Sequence, residues 1–304
     1  MTLVMVQMAA LIGVGVLWRL LQPGGLEADP ARHAVTTLVY YLLLPALILS
    51  VLWEAPLGME TVGIALSAAG GVLLMLGATW LVLRLVGTVP ATTGTVLLAA
   101  AWPNATYLGL PVLEASFGEW ARRVAIQYDL FACFPLLMTV GILVARHYGN
   151  QGVNENPVKT LFKVPPLWAA LAAVALNVSG IQPPTALDDL LGSLGESVPP
   201  LMLLALGMSL TWESGGRGVL PLALLILALQ LAVQPAAVSL LAGGIGLSGE
   251  LYRAVVVEAA MPTMVLGVVL CDRYGLDTAL YAKAVTLTTA VSLVTTPLWF
   301  RVLG

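Results

Sequence analysis

The sequence predicts an all-α integral membrane protein of about ten transmembrane helices, and three features support this prediction. Hydrophobic residues make up 59% of the 304 residues, charged residues make up 10%, and the mean hydropathy is +0.95. An ordinary soluble domain has roughly 25% charged residues, so this chain has too little charge to cover a soluble surface. The apolar residues also run in stretches of about 20, the length that a helix needs to cross a hydrocarbon core about 30 Å thick.

Ten such stretches follow one another along the chain and leave no room for a soluble domain. The predicted spans are 3–21, 34–53, 61–83, 93–117, 124–145, 164–181, 187–210, 219–245, 251–270 and 278–302. No basic residue precedes the first apolar stretch, so we interpret it as a retained helix rather than a removed signal peptide.

Basic residues are distributed unevenly between the two sides that ten spans define. Loops after odd-numbered spans hold nine of the 13: Arg19, Arg32, Arg84, Arg146, Lys159, Lys163, Arg217, Arg273 and Lys283. The other side holds Arg122, Arg123, Arg253 and Arg301. Because the basic side is usually cytoplasmic, we predict a multi-pass protein of the plasma (inner) membrane with both termini outside. The net charge of -3 argues against nucleic acid as a partner.

The two halves of the chain resemble each other. Ala-Ala-Trp-Pro-Asn around Pro103 matches Ala-Ala-Met-Pro-Thr around Pro262, 159 residues later. Two further proline pairs recur at offsets of 155 and 162 residues: Pro45 with Pro200, and Pro135 with Pro297. We therefore predict a first five-helix repeat at 1–147, a cytoplasmic linker at 148–163 and a second repeat at 164–304. Five crossings per repeat would invert the second copy, as in several secondary transporter folds.

The fourth and ninth spans contain helix-breaking residues near the expected bilayer centre. Pro103, Gly109 and Pro111 lie within nine residues of the fourth span, and Pro262 interrupts the ninth. Each proline removes a backbone donor and clashes with a preceding carbonyl, so polar groups are freed that must be buried in protein or line a wet cavity. Paired breaks of this kind indicate a midplane binding site, although transmembrane prolines also make simple kinks. Asn104, beside Pro103, could bind substrate, cap the second half-helix, or do both.

At these residues the sequence resembles the auxin efflux carrier superfamily, which includes plant auxin carriers and bacterial organic-acid permeases. Asn104, Gly109 and Pro111 reproduce the family's fourth-span pattern, and Pro103 matches the Pro-Asn pair of the plant carriers. Residues 258–262 and 292–297 look like the family's C-terminal half. The resemblance covers essentially the whole chain.

This resemblance implies a fold of two five-helix inverted repeats with crossed broken helices, similar to sodium/bile-acid symporters. It also implies a scaffold domain, a transport domain, and a small organic anion as substrate, carried in some members by an elevator motion. A homodimer is compatible with it. The predicted substrate-binding residues are Asn104, Thr106, Gly109 and Thr263, and the helix-breaking residues are Pro103, Pro111 and Pro262. The acidic third-span residue of the plant carriers has no equivalent in 66–71, so the coupling ion is not carried over.

Carboxylates inside predicted spans are the candidates for ion coupling, because burying them is costly. Glu258 precedes Pro262 by one helical turn, and Asp129 lies early in the fifth span. Either could exchange a proton or coordinate sodium, and Asp129 could instead reach headgroup water. For Glu114, we favour the interfacial role. Glu119 resembles a family position near the ion-coupling region but could be a loop residue. No Lys or Arg lies near a span centre, so half-helix N-termini would have to attract an anion.

Other functional classes fit the sequence less well. A membrane-embedded enzyme is not expected, because the two histidines, His33 and His147, lie in predicted loops and the common metal and nucleophile motifs are missing. A sensor would need a sizeable signalling region. Within transporters, the alternative is a sodium-coupled bile-acid-type symporter or a sodium/proton carrier. We expect no cofactor, with a proton or sodium as the candidate coupling ion.

Overall fold

The computed structural model describes residues 2–149, 164–210 and 219–304, and every regular element in this part of the chain is helical. The predicted linker 148–163, with Lys159 and Lys163, lies almost entirely outside the described residues, as does Arg217. Six helices are long and apolar enough to cross a membrane: Ala28–Trp53, Met59–Val86, Glu119–Tyr148, Thr185–Ser209, Val219–Ile245 and Thr278–Val302. The protein is therefore a multi-pass membrane protein.

The other four predicted spans are also helical, and two of them are interrupted. The first and sixth correspond to helices Thr2–Leu21 and Pro165–Val178. The fourth is split into Pro90–Ala101 and Leu110–Phe117, and the ninth into Gly249–Ala259 and Gly267–Tyr274. A broken helix is not counted among the long apolar helices, so the ten-span topology remains a prediction.

Two of the predicted loops are helical. The second span begins at Ala28, six residues earlier than expected, so His33 lies in a helix. His147 likewise lies in the helical segment Ile142–Tyr148. The placement of both histidines in loops was wrong, because hydropathy marks the apolar part of a span and not the polar turns that continue its helix.

Four prolines within the helices are preceded by wider, π-helical turns. Each of four π-helical segments ends two residues before a proline: Val39–Leu43 before Pro45, Ala105–Gly109 before Pro111, Asp129–Cys133 before Pro135, and Leu229–Val233 before Pro235. A wider turn moves the preceding carbonyls away from the proline ring and relieves the clash that a regular helix would suffer. All four of these segments contain residues of the site described below.

The helices pack in two groups. In the first, helix Thr2–Leu21 packs on Val198–Ser209, and Ala28–Trp53 packs on Pro165–Val178 and Thr185–Gly195. Asn177 ties this group together, because its Nδ2 donates hydrogen bonds to the carbonyls of Trp53 and Ala55, at 2.7 and 2.8 Å.

The second group contains the two broken helices. Helix Met59–Val86 packs on Pro90–Ala101 and on Gln234–Ile245, which in turn contacts Gly249–Ala259. Thr278–Val302 packs on Val219–Ala228 and on Pro90–Ala101. On the outside of this group, the side chains of Leu85 and Leu240 are at least four-fifths exposed, as expected for lipid-facing positions.

Candidate functional site

The breaks in the two interrupted helices cross each other and pair through their backbones. The Asn104 N–H donates to the carbonyl of Pro262 at 2.7 Å, and the Met264 N–H donates to the carbonyl of Trp102 at 2.9 Å. Pro103 and Thr263 therefore lie opposite each other in a short antiparallel bridge. Each break satisfies backbone groups that the other has freed, which removes part of the cost of unwinding inside an apolar environment.

Polar side chains satisfy more of the freed carbonyls. Gln230 Nε2 donates to the carbonyl of Met261 at 2.9 Å, and Gln234 Nε2 donates to that of Ala101 at 3.2 Å. Both glutamines belong to helix Val219–Ile245 and are fully buried. They were not predicted from the sequence, although two polar residues one turn apart in an apolar span are a signal that could have indicated them.

Thr263, predicted to bind substrate, is engaged in the crossing itself. Its hydroxyl donates to the carbonyl of Ala99 at 2.8 Å, and its N–H donates to the hydroxyl of Thr288 at 3.1 Å. It is fully buried and does not line the central cavity. The contacts of Thr263 are those of a residue that holds the two breaks together.

A small central cavity lies beside the crossing. Its volume is about 80 Å³, and its polar lining residues are Tyr40, Asn104, Thr106, Tyr107 and Asp129, with apolar side chains around them. Among the described residues, the lining includes neither Lys nor Arg. Such a volume holds a few water molecules, so any larger ligand needs the walls to move.

Asn104 presents an unused hydrogen-bond donor at this cavity. The residue is 1% exposed, occupies the position before the helical turn Ala105–Gly109 and makes no side-chain capping bond. Its Nδ2 has no hydrogen-bond partner among the described residues. A buried amide donor without a partner costs roughly 1–3 kcal/mol, so a ligand oxygen that accepted from it would recover that energy.

Asp129, on helix Glu119–Tyr148, lines the same cavity. Thr106 donates a hydrogen bond to its Oδ2, while Oδ1 has no partner in the described part of the chain. The Asp129 residue is 5% exposed. The structure thus brings three predicted site residues, Asn104, Thr106 and Asp129, to one cavity.

Glu258 and Gly109 form a second polar locus beside the first. Glu258 is fully buried, and neither of its carboxyl oxygens has a hydrogen-bond partner among the residues described. The carboxyl group lies directly against Gly109, where a Cβ atom would overlap it. The segment Ala105–Gly109 therefore contacts both loci, with Thr106 and Tyr107 at the cavity and Gly109 at Glu258.

The remaining predicted carboxylates lie away from the crossing. Glu119 lies in a helical turn, Glu119–Ala121, and lines a wide chamber at one end of the molecule rather than the central cavity. Glu114 forms an ion pair with Arg122, which accounts for its presence near the end of the fourth span. The roles predicted for these residues and for Asp129 and Glu258 remain predictions.

Comparison with known proteins identifies the family. A family described as "Membrane transport protein" matches residues 2–300, almost the whole chain. The chain belongs to this membrane transport protein family. An uncharacterized transporter of Methanothermobacter thermautotrophicus is 31% identical over 207 residues, which cover 68% of this chain and 67% of the relative.

Two further relatives of this membrane transport protein have related names. An uncharacterized transporter of Methanocaldococcus jannaschii is 29% identical over 209 residues, covering 68% of this chain and 67% of the relative. A probable auxin efflux carrier component of rice, Oryza sativa subsp. japonica, is 23% identical over 245 residues, covering 66% of each. The resemblance to auxin efflux carriers, predicted from Asn104, Gly109 and Pro111, is confirmed.

Proposed function

We propose that this protein is a secondary transporter that moves a small organic anion across the plasma membrane by alternating access. The observation that carries the proposal is the unpaired Asn104 amide donor in a cavity beside two crossed, broken helices. An amide donor and the N-terminal end of a half-helix both suit a carboxylate. Since no described residue of the lining is Lys or Arg, the half-helix ends and the amide have to attract the charge, and a small monoanion or dianion is the substrate class that fits best.

The topology that we propose has ten spans in two inverted five-helix repeats, 1–147 and 164–304, with both termini outside. The antiparallel pairing of Pro103 with Thr263 supports it, because breaks at equivalent positions of inverted repeats would meet in opposite directions. An elevator motion would move the group with the broken helices against the group that contains Ala28–Trp53. The central cavity lies between these groups, with Tyr40 and Leu44 on one side and Asn104 and Asp129 on the other.

The proposed coupling residues are Glu258 and Asp129, with Glu258 the better candidate. A carboxyl group in a low-dielectric site can load and release a proton as the transporter alternates between states. Sodium is the alternative coupling ion, because the two unpaired carboxyl oxygens of Glu258 are the ligand type that hard cations prefer. Sodium dependence of uptake would favour this alternative, and pH dependence alone would favour the proton.

A membrane-embedded enzyme or a sensor is the alternative from a different class. The family and all three relatives described above are transport proteins by name, which supports transport over either alternative. The rice relative's name adds auxin, an aromatic carboxylic acid, to the compounds that merit testing.

A thermal-shift screen of the purified protein tests the proposed function. Acetate, lactate, succinate and indole-3-acetate would be compared at several pH values, with sodium or with potassium. A ligand that binds the folded state raises its stability by RT ln(1 + [L]/Kd), about 2.7 kcal/mol at 100 times Kd. We expect at least one carboxylate, and not the matching alcohol or amide, to raise the melting temperature. Equal effects of the acids and their neutral analogues would contradict a carboxylate site.

A further inference from the structure

Three cavities follow helix Ala28–Trp53 from one end to the other. Asp29, Arg32, His33 and Thr36 line a chamber of about 480 Å³ at its N-terminal end. The central cavity is lined by Val39, Tyr40, Leu44 and Ile48, from the middle of the helix. Ser50, Val51 and Glu54 line a chamber of about 900 Å³ at its C-terminal end. One helix thus marks a route through the molecule, with the candidate site at its middle.

The chamber at the N-terminal end contains an arginine, Arg32, that is only weakly paired with an acidic residue. Arg19 donates from Nε to the carbonyl of Met208 at 2.7 Å and forms an ion pair with Asp29 at 2.6 Å. Arg32 lies farther from the same carboxylate oxygen, at 3.7 Å, and its Nε has no hydrogen-bond partner among the described residues. Asp29 is thus neutralised chiefly by Arg19, and the Arg32 guanidinium retains donors for a second anion.

Tyr107 and Leu266 form the wall between this chamber and the central cavity, since both residues line the two spaces. Tyr107 belongs to the π-helical segment Ala105–Gly109 and follows Asn104 by three residues. Because the wall consists of these two side chains, their displacement would join the Arg32 chamber to the cavity that contains Asn104 without movement of a whole helix.

The chamber at the C-terminal end has the opposite charge. Its described lining contains five acidic residues and two basic ones: Glu54, Glu119, Asp188, Asp189, Glu196, Arg122 and Arg123. Arg122 and Arg123 already pair with Glu114 and Glu60. Among the described residues, this chamber and the central cavity have no lining residue in common. The route therefore has positive charge at one end, where Tyr107 and Leu266 separate the chamber from the central cavity, and negative charge at the other.

We infer that Arg32 is the first binding point for the substrate's carboxylate, and that Tyr107 is the gate that the substrate passes to reach Asn104. This inference rests on the proposed function, because it needs an anionic substrate. A guanidinium binds a carboxylate through charge-assisted hydrogen bonds, and the field of the acidic chamber lowers the local concentration of anions there. The two faces of the transporter consequently differ in apparent affinity, while the ion and substrate gradients still set the direction of net transport.

Charged thiol reagents test the polarity of the route without any substrate. Thr36→Cys reports on the Arg32 chamber and Ser193→Cys on the acidic one, each in a background with Cys133→Ala and Cys271→Ala. Labelling rates with anionic and cationic methanethiosulfonates would be compared in detergent. We expect the anionic reagent to react faster at position 36 and the cationic reagent to react faster at position 193.

Arg32→Gln should reduce the reagent preference at position 36 alone. Arg301→Gln, the matched loss of an exposed positive charge, should change the preference at neither position. The same reagent preference at both positions, or no effect of Arg32→Gln, would overturn the inference.

The gate is tested by labelling a residue inside the central cavity. Ala125→Cys should react faster when combined with Tyr107→Ala, which removes the ring, than with Tyr107→Phe, which keeps it. Equal rates in these two variants would show that Tyr107 is not the barrier.

Exchange kinetics in oriented proteoliposomes complete the test, with whichever labelled carboxylate the wild type exchanges. Arg32→Gln should raise KM at least about tenfold on the Arg32 face, the loss expected for a charge-assisted hydrogen bond, and leave KM on the other face unchanged. Arg32→Lys should give a KM between those of Arg32→Gln and the wild type, and Arg301→Gln should have the wild-type KM. Unchanged KM on both faces, or an equal rise on both, would overturn the role of Arg32 while leaving the proposed function intact. A wild type that exchanges none of the four acids of the screen would instead contradict the proposed function.

Discussion

The carboxyl group of Glu258 lies so close to the Cα of Gly109 that a Cβ atom at position 109 would overlap both carboxyl oxygens. The glycine of the fourth-span pattern therefore makes room for the acidic side chain of the ninth span. This contact joins the two broken helices at the point where the predicted coupling residue is buried.

Gly109→Ala should displace the Glu258 carboxyl group and abolish ion-driven accumulation. The added Cβ would overlap the carboxyl group of Glu258, which would have to move in a close-packed interior. Accumulation in proteoliposomes under a pH or sodium gradient measures the effect. Gly77→Ala is the matched control, because a Cβ there meets no atom within 4 Å, and helix propensity favours alanine by up to about 1 kcal/mol. Wild-type accumulation by Gly109→Ala would show that this contact is dispensable.

Glu258→Gln should stop pH-gradient-driven accumulation but preserve substrate exchange, because the amide keeps the shape of the side chain without titrating. Asp129→Asn should have the same effect if Asp129 is the coupling group. Initial rates of accumulation and of exchange in the same proteoliposomes separate the two steps. If both variants accumulate substrate with wild-type pH and sodium dependence, neither carboxylate couples transport, and the protein is a facilitator or couples through other groups.

Gly15→Ala should destabilise the protein, because Gly15 packs directly on the backbone of helix Val198–Ser209 at Leu204 and Gly207. Overpacking of this kind typically costs about 1–3 kcal/mol. Thermal unfolding measured in detergent should show a lower melting temperature. Gly13→Ala, whose Cβ would meet nothing within 4 Å, should leave the melting temperature unchanged or slightly raised. Equal melting temperatures for the two variants would contradict the close packing of these helices.

The predicted orientation rests on the charge asymmetry and can be measured by cysteine labelling in intact cells. A membrane-impermeant reagent should label Glu250→Cys and should not reach Lys159→Cys in a background lacking Cys133 and Cys271. Labelling of Lys159→Cys from outside would reverse the predicted topology.

The sequence predicted the helical breaks because proline and glycine act locally. Pro103, Gly109, Pro111 and Pro262 disfavour a regular helix whatever surrounds them, so the two interruptions could be located in advance. Their crossing could not be derived from local signals, since the bond between Asn104 and Pro262 joins residues far apart in the chain. That part of the prediction depended on the resemblance to a family.

Side-chain partners were the least predictable feature. Thr263 and Asn104 occupy similar places beside their prolines, yet the Thr263 hydroxyl bonds to Ala99 and the Asn104 amide donor is unpaired. The two residues look equivalent in composition and spacing. They differ only because Pro90–Ala101 packs against the ninth-span break and supplies a carbonyl partner to Thr263. The same limit applies to Gln230 and Gln234, whose carbonyl partners lie on other helices.

The most direct test of the account is the affinity of the purified protein for its best-binding carboxylate, measured by titration calorimetry in Asn104→Ala. The variant should lose about 1.5–3 kcal/mol of binding free energy, or roughly ten- to a hundredfold in Kd, because a charge-assisted hydrogen bond is lost. Asn177→Ala is the control: it removes hydrogen bonds to Trp53 and Ala55 and should lower the melting temperature without changing Kd. An Asn104→Ala protein that folds and binds the carboxylate with wild-type Kd would contradict the assignment of the central cavity as the substrate site.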